Sequence, residues 1–208
     1  MRRFSHLTPR YIIDRVAYIL YEKSHSEYPW LTQAANTILD GLLIDSDRML
    51  EFGSGRSTIW FSKRVKSLIS VEHDKAWYEK VKEKLKGQRI SNVDYRLASS
   101  KSDGSCSRES YIGAVDEFRE KPFDVVLVDG LFRSDCALLA VGILESGGIL
   151  IIDNVNRYLP SRSRAPESMK LNDGPIDDGW VKFAGLTKDW RHIWTTNGLS
   201  DTAFFFKP

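Results

Sequence analysis

The sequence has few cysteines and no long apolar run. Cys106 and Cys136 are its two cysteines in 208 residues, which argues against a disulfide-stabilised scaffold and favours a reducing compartment. No apolar stretch approaches the roughly 20 residues that a membrane-spanning helix needs. The segment Met1–His6 leads into polar-interrupted sequence rather than the apolar core of a signal peptide. We therefore expect a cytoplasmic protein with no membrane partner.

An excess of charge of one sign is also missing. Lys and Arg total 30 against 28 Asp and Glu, which gives a formal net charge of +2. A nucleic-acid partner is not indicated, because such a partner requires a clustered basic face. Hydrophobic residues make up 42% of the chain and charged residues 28%, which is typical of a globular domain. The length suits one domain with modest additions.

Two amphipathic helices are predicted before the first strand. The first runs from Pro9 to Lys23 with Thr8 as its N-cap, and the second runs from Thr32 to Leu43. The simpler interpretation is that both pack on the sheet, while a substrate lid is the alternative. The first helix could also pack on a second subunit, which leaves a homodimer open. Residues 1–45 are assigned to this helical flank or cap, and residues 46–208 to the main domain.

From Arg48 onward, short apolar runs alternate with helical patterns. This alternation predicts an α/β, Rossmann-like fold with a mostly parallel seven-stranded sheet and helices on both faces. The last two strands are separated by Asn197–Asp201, which predicts an antiparallel C-terminal hairpin. The predicted strands are Met49–Phe52, Ser67–Val71, Val93–Leu97, Phe123–Val128, Ile149–Ile152, Arg191–Thr196 and Thr202–Lys207, and the predicted helices among them are Ser57–Val65, Lys75–Leu85, Glu109–Arg119, Ser134–Leu144 (closed by Gly147 and Gly148) and Asp178–Leu186.

An acidic residue and two glycines end the first predicted strand. Gly53 and Gly55 would let the backbone turn sharply and approach a ligand closely. The amides of Ser57 and Thr58 open the following helix, where they favour a carboxylate or another anion. Glu51 would repel a pyrophosphate and attract an ammonium group. These residues predict a site for an amino-acid group at the carboxyl ends of the strands.

A second acidic residue, Glu72, ends the next predicted strand. Its carboxylate can accept hydrogen bonds from two ribose hydroxyls. His73 follows it and is interpreted as shaping a ligand site rather than performing catalysis. A ligand that combines an amino acid with a ribose and carries no phosphate fits both strand ends. S-adenosylmethionine (SAM) is such a ligand.

The ordered motifs resemble those of the class I SAM-dependent methyltransferases, over roughly residues 48 to 154. The matching runs are Glu51–Gly55, Ser70–Asp74, Phe123–Gly130 and Gly147–Asn154. The resemblance implies that SAM is the cofactor, that Glu72 holds its ribose and that the loop after the third strand contacts adenine. The residues it implies at the cofactor, with the neighbouring candidates from the same strand ends, are Glu51, Phe52, Gly53, Ser54, Gly55, Ser57, Thr58, Glu72, His73, Ala98, Ser99 and Asp129.

Two further strand ends carry oxygen-bearing side chains. Asp129 follows the fourth strand, and Asp153 and Asn154 follow the fifth, an oxygen set that suits Mg²⁺ or Ca²⁺. This arrangement resembles the metal-dependent catechol and caffeoyl-coenzyme A O-methyltransferases. The sequence departs from them at Phe132, where they often have lysine, and Arg133 follows. Arginine is a poor general base, so Arg133 is interpreted as a clamp for an anion or for substrate. Metal ligation and ordinary strand-end roles for the two aspartates both stay open.

The irregular loop from Arg157 to Ile176 is long and basic. It contains Arg162, Arg164 and Lys170, and long loops of this kind are usually functional or disordered. The charge could attract an acceptor that carries phosphate or carboxylate, although a solvated basic loop is the commoner case.

Together these patterns favour a SAM-dependent methyltransferase that methylates a hydroxyl of a small-molecule or sugar-like acceptor. Asp129 and Arg133 are its catalytic candidates. A metal-independent enzyme acting on nitrogen or on a macromolecule is one alternative, and a non-catalytic nucleotide-binding module is another. A nicotinamide-dependent oxidoreductase is disfavoured, because its fingerprint has a third glycine where Thr58 stands and gives Glu51 no role.

Overall fold

A seven-stranded sheet lies at the centre of the protein, in a computed structural model that describes residues 8–98, 106–118, 120 and 122–208. The strand order is β3-β2-β1-β4-β5-β7-β6, and of these strands β7 runs against its neighbours β5 and β6 while the rest are parallel. The predicted α/β fold and the antiparallel hairpin are confirmed. The strands are β1 (Arg48–Phe52), β2 (Ser67–Glu72), β3 (Val93–Leu97), β4 (Phe123–Val128), β5 (Leu144–Asp153), β6 (Arg191–Thr196) and β7 (Asp201–Phe206).

Helices pack on both faces of the sheet. Apolar side chains of α5, α6 and α7 form one core with the sheet, and those of α2 and α3 form a second core. A smaller cluster of α3 and α4 side chains extends the second core. The central strand β4 supplies Val126 and Val128 to the first core and Val125 and Leu127 to the second, as expected for a parallel strand buried on both faces. The helices are α1 (Pro9–Ser24), α2 (Gln33–Leu42), α3 (Arg56–Ser62), α4 (Lys75–Gly87), α5 (Arg108–Gly113), α6 (Arg133–Ile143) and α7 (Asp178–Leu186).

The register of the central strands brings their carboxyl ends to one edge. Phe52 of β1 pairs with Val71 of β2 and with Val128 of β4, and Val128 in turn pairs with Ile152 of β5. The residues that follow each of these positions therefore lie side by side. This edge is where a doubly wound sheet binds its ligands.

Several predicted boundaries shift by one to three residues, such as the end of α3 at Ser62 instead of Val65, and two predicted elements differ more. The strand β5 begins at Leu144, not Ile149, so Gly147 and Gly148 lie inside it instead of closing α6. Gly148 is required there because an added Cβ would lie 2.9 Å from the carbonyl oxygen of Asp124 on β4. The predicted helix Glu109–Arg119 is divided into α5 and a 3-10 helix at Asp116–Phe118, and Arg119 lies outside the described residues.

Contrary to the prediction, helix α1 does not pack on the sheet. It has no buried residue, and Ile12, Ile13 and Leu20 are 56%, 67% and 61% exposed. In contrast, Ala35 and Leu39 of α2 are completely buried in the sheet's second core, so α2 packs on the sheet. No helix in the described part of the chain is long and apolar enough to cross a membrane.

Candidate functional site

The floor of the site is the turn after β1, where Gly53 has a φ of +92°. An added Cβ at Gly53 would lie 2.8 Å from the backbone of Gly130, which follows β4. Glycine is therefore required here, because the loops after β1 and β4 pack directly on each other. Gly55 has an extended φ of 170°, and a Cβ there would meet Trp77 at an ordinary 3.9 Å, so its conformation does not demand glycine.

Glu51 is completely buried beneath this turn. Its Oε2 accepts hydrogen bonds from the hydroxyls of Thr58 and Ser70, both at 2.6 Å. Its Oε1 has no hydrogen-bond partner within the described part of the chain. Burial raises the pKa of Glu51 to about 7, although the hydroxyls of Ser57, Ser70 and Thr58 act in the opposite direction. A buried carboxylate with one oxygen left over fits an incoming ammonium group.

Glu72 holds the neighbouring strand end and is 3% exposed. Its Oε1 accepts from the backbone amides of His73 (2.7 Å) and Asp74 (2.8 Å). Its Oε2 accepts from the amide and hydroxyl of Ser54, at 3.2 and 2.8 Å. The backbone thus fixes the carboxylate, while the Ser54 hydroxyl occupies a position that a ribose hydroxyl could take.

The other cofactor candidates are placed less uniformly. Ala98 is buried, and its amide donates to the carbonyl oxygen of Glu72 at 2.7 Å. Ser99 lies outside the described residues. The Phe52 ring is fully buried in the core beside Tyr111, so its side chain does not line the crevice. Trp77 does border the site, since its indole Nε1 donates to the carbonyl oxygen of Ser54 at 2.8 Å.

Tyr111 of α5 fills the space between the ends of β1, β2 and β4. Its ring centroid lies 5.8 Å from that of Phe52 and 6.4 Å from that of His73. Its hydroxyl donates to the carbonyl oxygen of Val71 at 3.4 Å and lies against Gly130. Helical spacing placed Tyr111 on a helix, but the pattern gave no sign that its ring would enter the ligand edge.

The guanidinium of Arg133 joins the ends of β4 and β5. It lies at the start of α6, directly after Phe132, whose φ is +46°. Its Nη2 donates to the Oδ1 of Asp129 at 2.7 Å, and its Nη1 donates to the carbonyl oxygen of Asp153 at 2.5 Å. Nη2 also reaches the carbonyl oxygen of Asp129 at 2.8 Å, Nη1 reaches the Oδ1 of Asn154 at 3.4 Å, and Nε reaches the carbonyl oxygen of Gly130 at 3.0 Å.

As arranged, Asp129, Asp153 and Asn154 do not fit a divalent cation. The Oδ1 atoms of Asp129 and Asn154 face the positive guanidinium of Arg133, and the Oδ1 of Asp153 accepts from Thr202 at 2.7 Å. A cation at the centre of the three would meet a like charge. Arg133 would have to leave before these oxygens could converge on a metal.

Both aspartates hold their protons more strongly than usual. Asp153 is 4% exposed, and burial, followed by the charge of Asp129, raises its pKa to about 7. Burial also raises the pKa of Asp129, against the opposing charge of Arg133. The Asp129 side chain is 31% exposed, so of the two aspartates it is the one that a ligand in the crevice can reach.

The helix α1 crosses above this edge of the sheet. Near its start, the carboxylate of Asp14 lies against Gly198 in the β6–β7 turn. Near its end, the Oε1 of Glu22 lies 2.7 Å from the Nη2 of Arg56 at the start of α3. The helix therefore spans from the hairpin to the turn that follows β1.

Tyr18, midway along α1, was not identified from the sequence. Burial and then the charge of Glu22 raise its pKa to about 12, and the charges of Arg56 and Asp153 also act on it. It is therefore close to the carboxylate of Asp153 at the end of β5 and to Arg56 at the start of α3. The amphipathic spacing of α1 predicted that its apolar residues are buried, but they are exposed, and it assigned no role to this tyrosine.

Comparison with known proteins found likeness in structure alone: no protein-family model and no curated protein matches the sequence. An O-methyltransferase from Bacillus cereus, solved with S-adenosylhomocysteine, is 14% identical with a TM-score of 0.61, covering 92% of this chain and 90% of that one. An rRNA methylase from Streptococcus thermophilus is 14% identical, with a TM-score of 0.56 and coverage of 86% and 99%. The O-methyltransferase TomG from Streptomyces achromogenes, which is involved in tomaymycin synthesis and was solved with SAM, is 18% identical, with a TM-score of 0.54 and coverage of 79% and 74%. The chain thus has the fold of these methyltransferases.

Proposed function

We propose that this protein is a SAM-dependent methyltransferase that transfers a methyl group to a hydroxyl of a small-molecule acceptor. The observation that carries the proposal is the buried carboxylate of Glu51, whose Oε1 has no hydrogen-bond partner in the described chain. With Glu72 at the next strand end, it offers acceptors for an ammonium group and a ribose. The shared fold with O-methyltransferases solved with SAM or with S-adenosylhomocysteine supports this assignment.

Each strand end has one task in this proposal. Glu51 binds the ammonium group of the cofactor, and Glu72 holds the ribose in place of the Ser54 hydroxyl. When bound, SAM supplies a methyl group on a positively charged sulfur. The acceptor hydroxyl would lose its proton to Asp129 as its oxygen takes the methyl group. Arg133 orients Asp129 through the 2.7 Å hydrogen bond between Nη2 and Oδ1.

This chemistry uses Arg133 where related reactions use a metal ion. The guanidinium is a fixed positive charge beside Asp129 and Asn154, so it can hold an acceptor oxygen near the transferred methyl group. Methyl transfer should then be insensitive to chelation. Turnover that falls in EDTA and returns with Mg²⁺ would show that Arg133 leaves this position to admit a cation.

The test begins with cofactor binding. Isothermal titration should show one SAM site on the wild-type chain and no saturable NAD binding. Radiolabelled methyl transfer to a panel of hydroxylated, amino and nucleic-acid acceptors then identifies the acceptor class, with Asp129→Asn as the variant that should lose transfer and keep SAM binding. NAD binding in place of SAM would reverse the assignment, and labelled amine or RNA with no labelled hydroxyl would move the reaction to another acceptor.

A further inference from the structure

A polar cavity lies between α1, the loop after β5 and the β6–β7 turn. Its volume is about 840 Å³, and its lining includes Arg10 and Asp14 of α1, Arg162 and Arg164 of the loop, and Asn197 of the turn. Three guanidinium groups therefore face one carboxylate. We propose that this cavity binds the phosphate or carboxylate group of an anionic methyl acceptor. The proposal rests on the methyltransferase function and specifies the class of its substrate.

The arginines have charge to spare for a ligand. Arg162 and Arg164 make no ion pair or side-chain hydrogen bond with any part of the chain that the structure describes. Arg10 reaches Asp14 only at 3.9 Å, one helical turn apart, and its own side chain is 69% exposed, so this ion pair is weak. Two guanidiniums beside one another bind an oxyanion well, because each presents parallel N–H donors to phosphate or carboxylate oxygens.

The loop that carries Arg162 and Arg164 is anchored in place. Between the two arginines, the hydroxyl of Ser163 donates to Asp201 at 2.9 Å. The amide of Asp201 donates to the side chain of Asn156 at 3.2 Å, and Asn156 donates onward to the carbonyl oxygen of Pro166 at 3.2 Å. Asp201 and Asn156 are 0% and 1% exposed. The arginines therefore flank a buried polar anchor, which lowers the entropy that a ligand must remove on binding.

The cavity also lies next to the reacting end. Asp14, in its lining, precedes Tyr18 by four residues, which is about 6 Å along a helix. The charge of Asp153 acts on Tyr18. Asn154, which follows Asp153, donates to Ser200 at 2.7 Å, and Ser200 belongs to the β6–β7 connection that lines the cavity. An acceptor whose anionic group lies among the arginines would therefore extend along the β6–β7 connection toward the end of β5, where Arg133 links Asp153 to Asp129.

The test compares two double variants that remove the same charge. Arg162→Gln with Arg164→Gln neutralises the cavity, and Arg89→Gln with Arg191→Gln neutralises two exposed arginines outside it. Titrations with inorganic phosphate and with acetate, followed by NMR or calorimetry at constant ionic strength, measure anion binding. SAM titration and thermal unfolding of every variant show whether cofactor site and fold are intact.

We expect the wild type and the Arg89/Arg191 variant to bind one of the two anions saturably, and the Arg162/Arg164 variant to bind it at least tenfold more weakly with unchanged SAM affinity. Phosphorylated or carboxylated acceptors should show a matching rise in KM. No saturable anion binding by the wild type, or equal loss in both double variants, would overturn the proposal. Failure of SAM binding in the wild type would instead reject the methyltransferase function, so the two failures are distinguishable.

Discussion

Two residues in left-handed backbone conformations frame the centre of the site. Phe132 has a φ of +46° and Asn154 a φ of +52°, and they follow the ends of β4 and β5. Each such conformation costs on the order of 1–3 kcal/mol, and strain of this kind clusters at functional positions. Here it directs Arg133, which follows Phe132, toward the carbonyl oxygen of Asp153. The local strain is offset by the hydrogen bonds that the guanidinium makes across both strands.

Replacing Glu51 with glutamine should separate cofactor binding from stability. The amide oxygen of Gln can still accept from Thr58 and Ser70, and a buried charge is removed, so the free energy of unfolding should not fall. SAM affinity should fall about 10- to 100-fold, because a hydrogen bond to a charged group contributes roughly 1.5–3 kcal/mol. Calorimetric titration and thermal melts measure the two effects.

The matched control for that change lies at the opposite end of β1. Asp47 is a 7% exposed carboxylate whose Oδ2 accepts from the amide of Ile44 at 3.0 Å. Asp47→Asn should leave SAM affinity unchanged. Equal SAM affinity in wild type and the Glu51→Gln variant would remove Glu51 from the cofactor site.

Replacing Arg133 with lysine should impair methyl transfer more than cofactor binding. Lysine keeps the positive charge but cannot reach Asp129, Asp153 and Asn154 at once, because it lacks the planar fork of a guanidinium. We expect kcat to fall at least tenfold, because the change removes about one hydrogen bond between charged groups. SAM affinity should stay within about threefold of the wild type. Single-turnover methylation measures the rate, and SAM titration measures the affinity. An unchanged kcat would show that the geometry of the guanidinium at Arg133 is unimportant.

At the scale of elements, the sequence predicted the bounds of helices and strands best where hydrophobic periodicity ended at turn-forming residues. The bounds of α7, β3, β4 and β6 were predicted without error, because apolar periodicity stopped at turn residues. The pattern was misleading at Gly147 and Gly148, which it placed after a helix. These glycines belong to β5 because the antiparallel pairing with β7 continues to the amide of Gly147, which donates to the carbonyl oxygen of Lys207 at 2.9 Å.

The site was only partly predictable for a related reason. Strand ends are visible in a sequence, so Glu51, Glu72 and Asp129 could be assigned to one edge from the alternation of elements alone. Contacts made by helices depend on packing angles that periodicity does not encode. Tyr111 and Tyr18 were missed on that account. Likewise, nothing in the residue types at the strand ends indicated that a guanidinium would lie where a metal was considered.

Deleting α1 should test whether it serves the site or the fold. The helix has no buried residue, and its ion pair between Glu22 and Arg56 is partly exposed, so a chain beginning at Ser26 should lose about 1 kcal/mol of stability or less. SAM binding should persist, while methyl transfer falls because α1 covers the acceptor side. Circular dichroism, SAM titration and turnover measure these effects.

A longer deletion provides the comparison for α1. Removing the chain through Leu42 also removes Leu31, Ala35 and Leu39, which are 2%, 0% and 0% exposed. Core truncations of this kind cost several kcal/mol each, so this chain should not fold. If the shorter deletion also abolished folding, α1 would belong to the structural core despite its exposed apolar side.

At the scale of the whole molecule, two buried carboxylates couple the site to global stability. Burial raises the pKa values of Glu51 and Asp153 to about 7 from ordinary values of 4.5 and 3.8. The folded protein therefore holds these protons more strongly than the unfolded chain. Their contribution to stability is fully present below about pH 4 and is lost as pH rises through 7. Cofactor binding should have the opposite pH dependence, because an ammonium group prefers the ionised form of Glu51.

Urea unfolding between pH 5.5 and 8 covers the range in which Glu51 and Asp153 lose their protons in the folded protein. We expect the free energy of unfolding of the wild type to fall by roughly 2 kcal/mol or more across it. The double variant Glu51→Gln with Asp153→Asn should show a clearly smaller fall, because neither amide titrates and both can still accept the native hydrogen bonds. A wild-type profile that is flat or rises with pH, or an equal slope in the variant, would show that these two carboxyl groups are ionised in the folded protein well below pH 7.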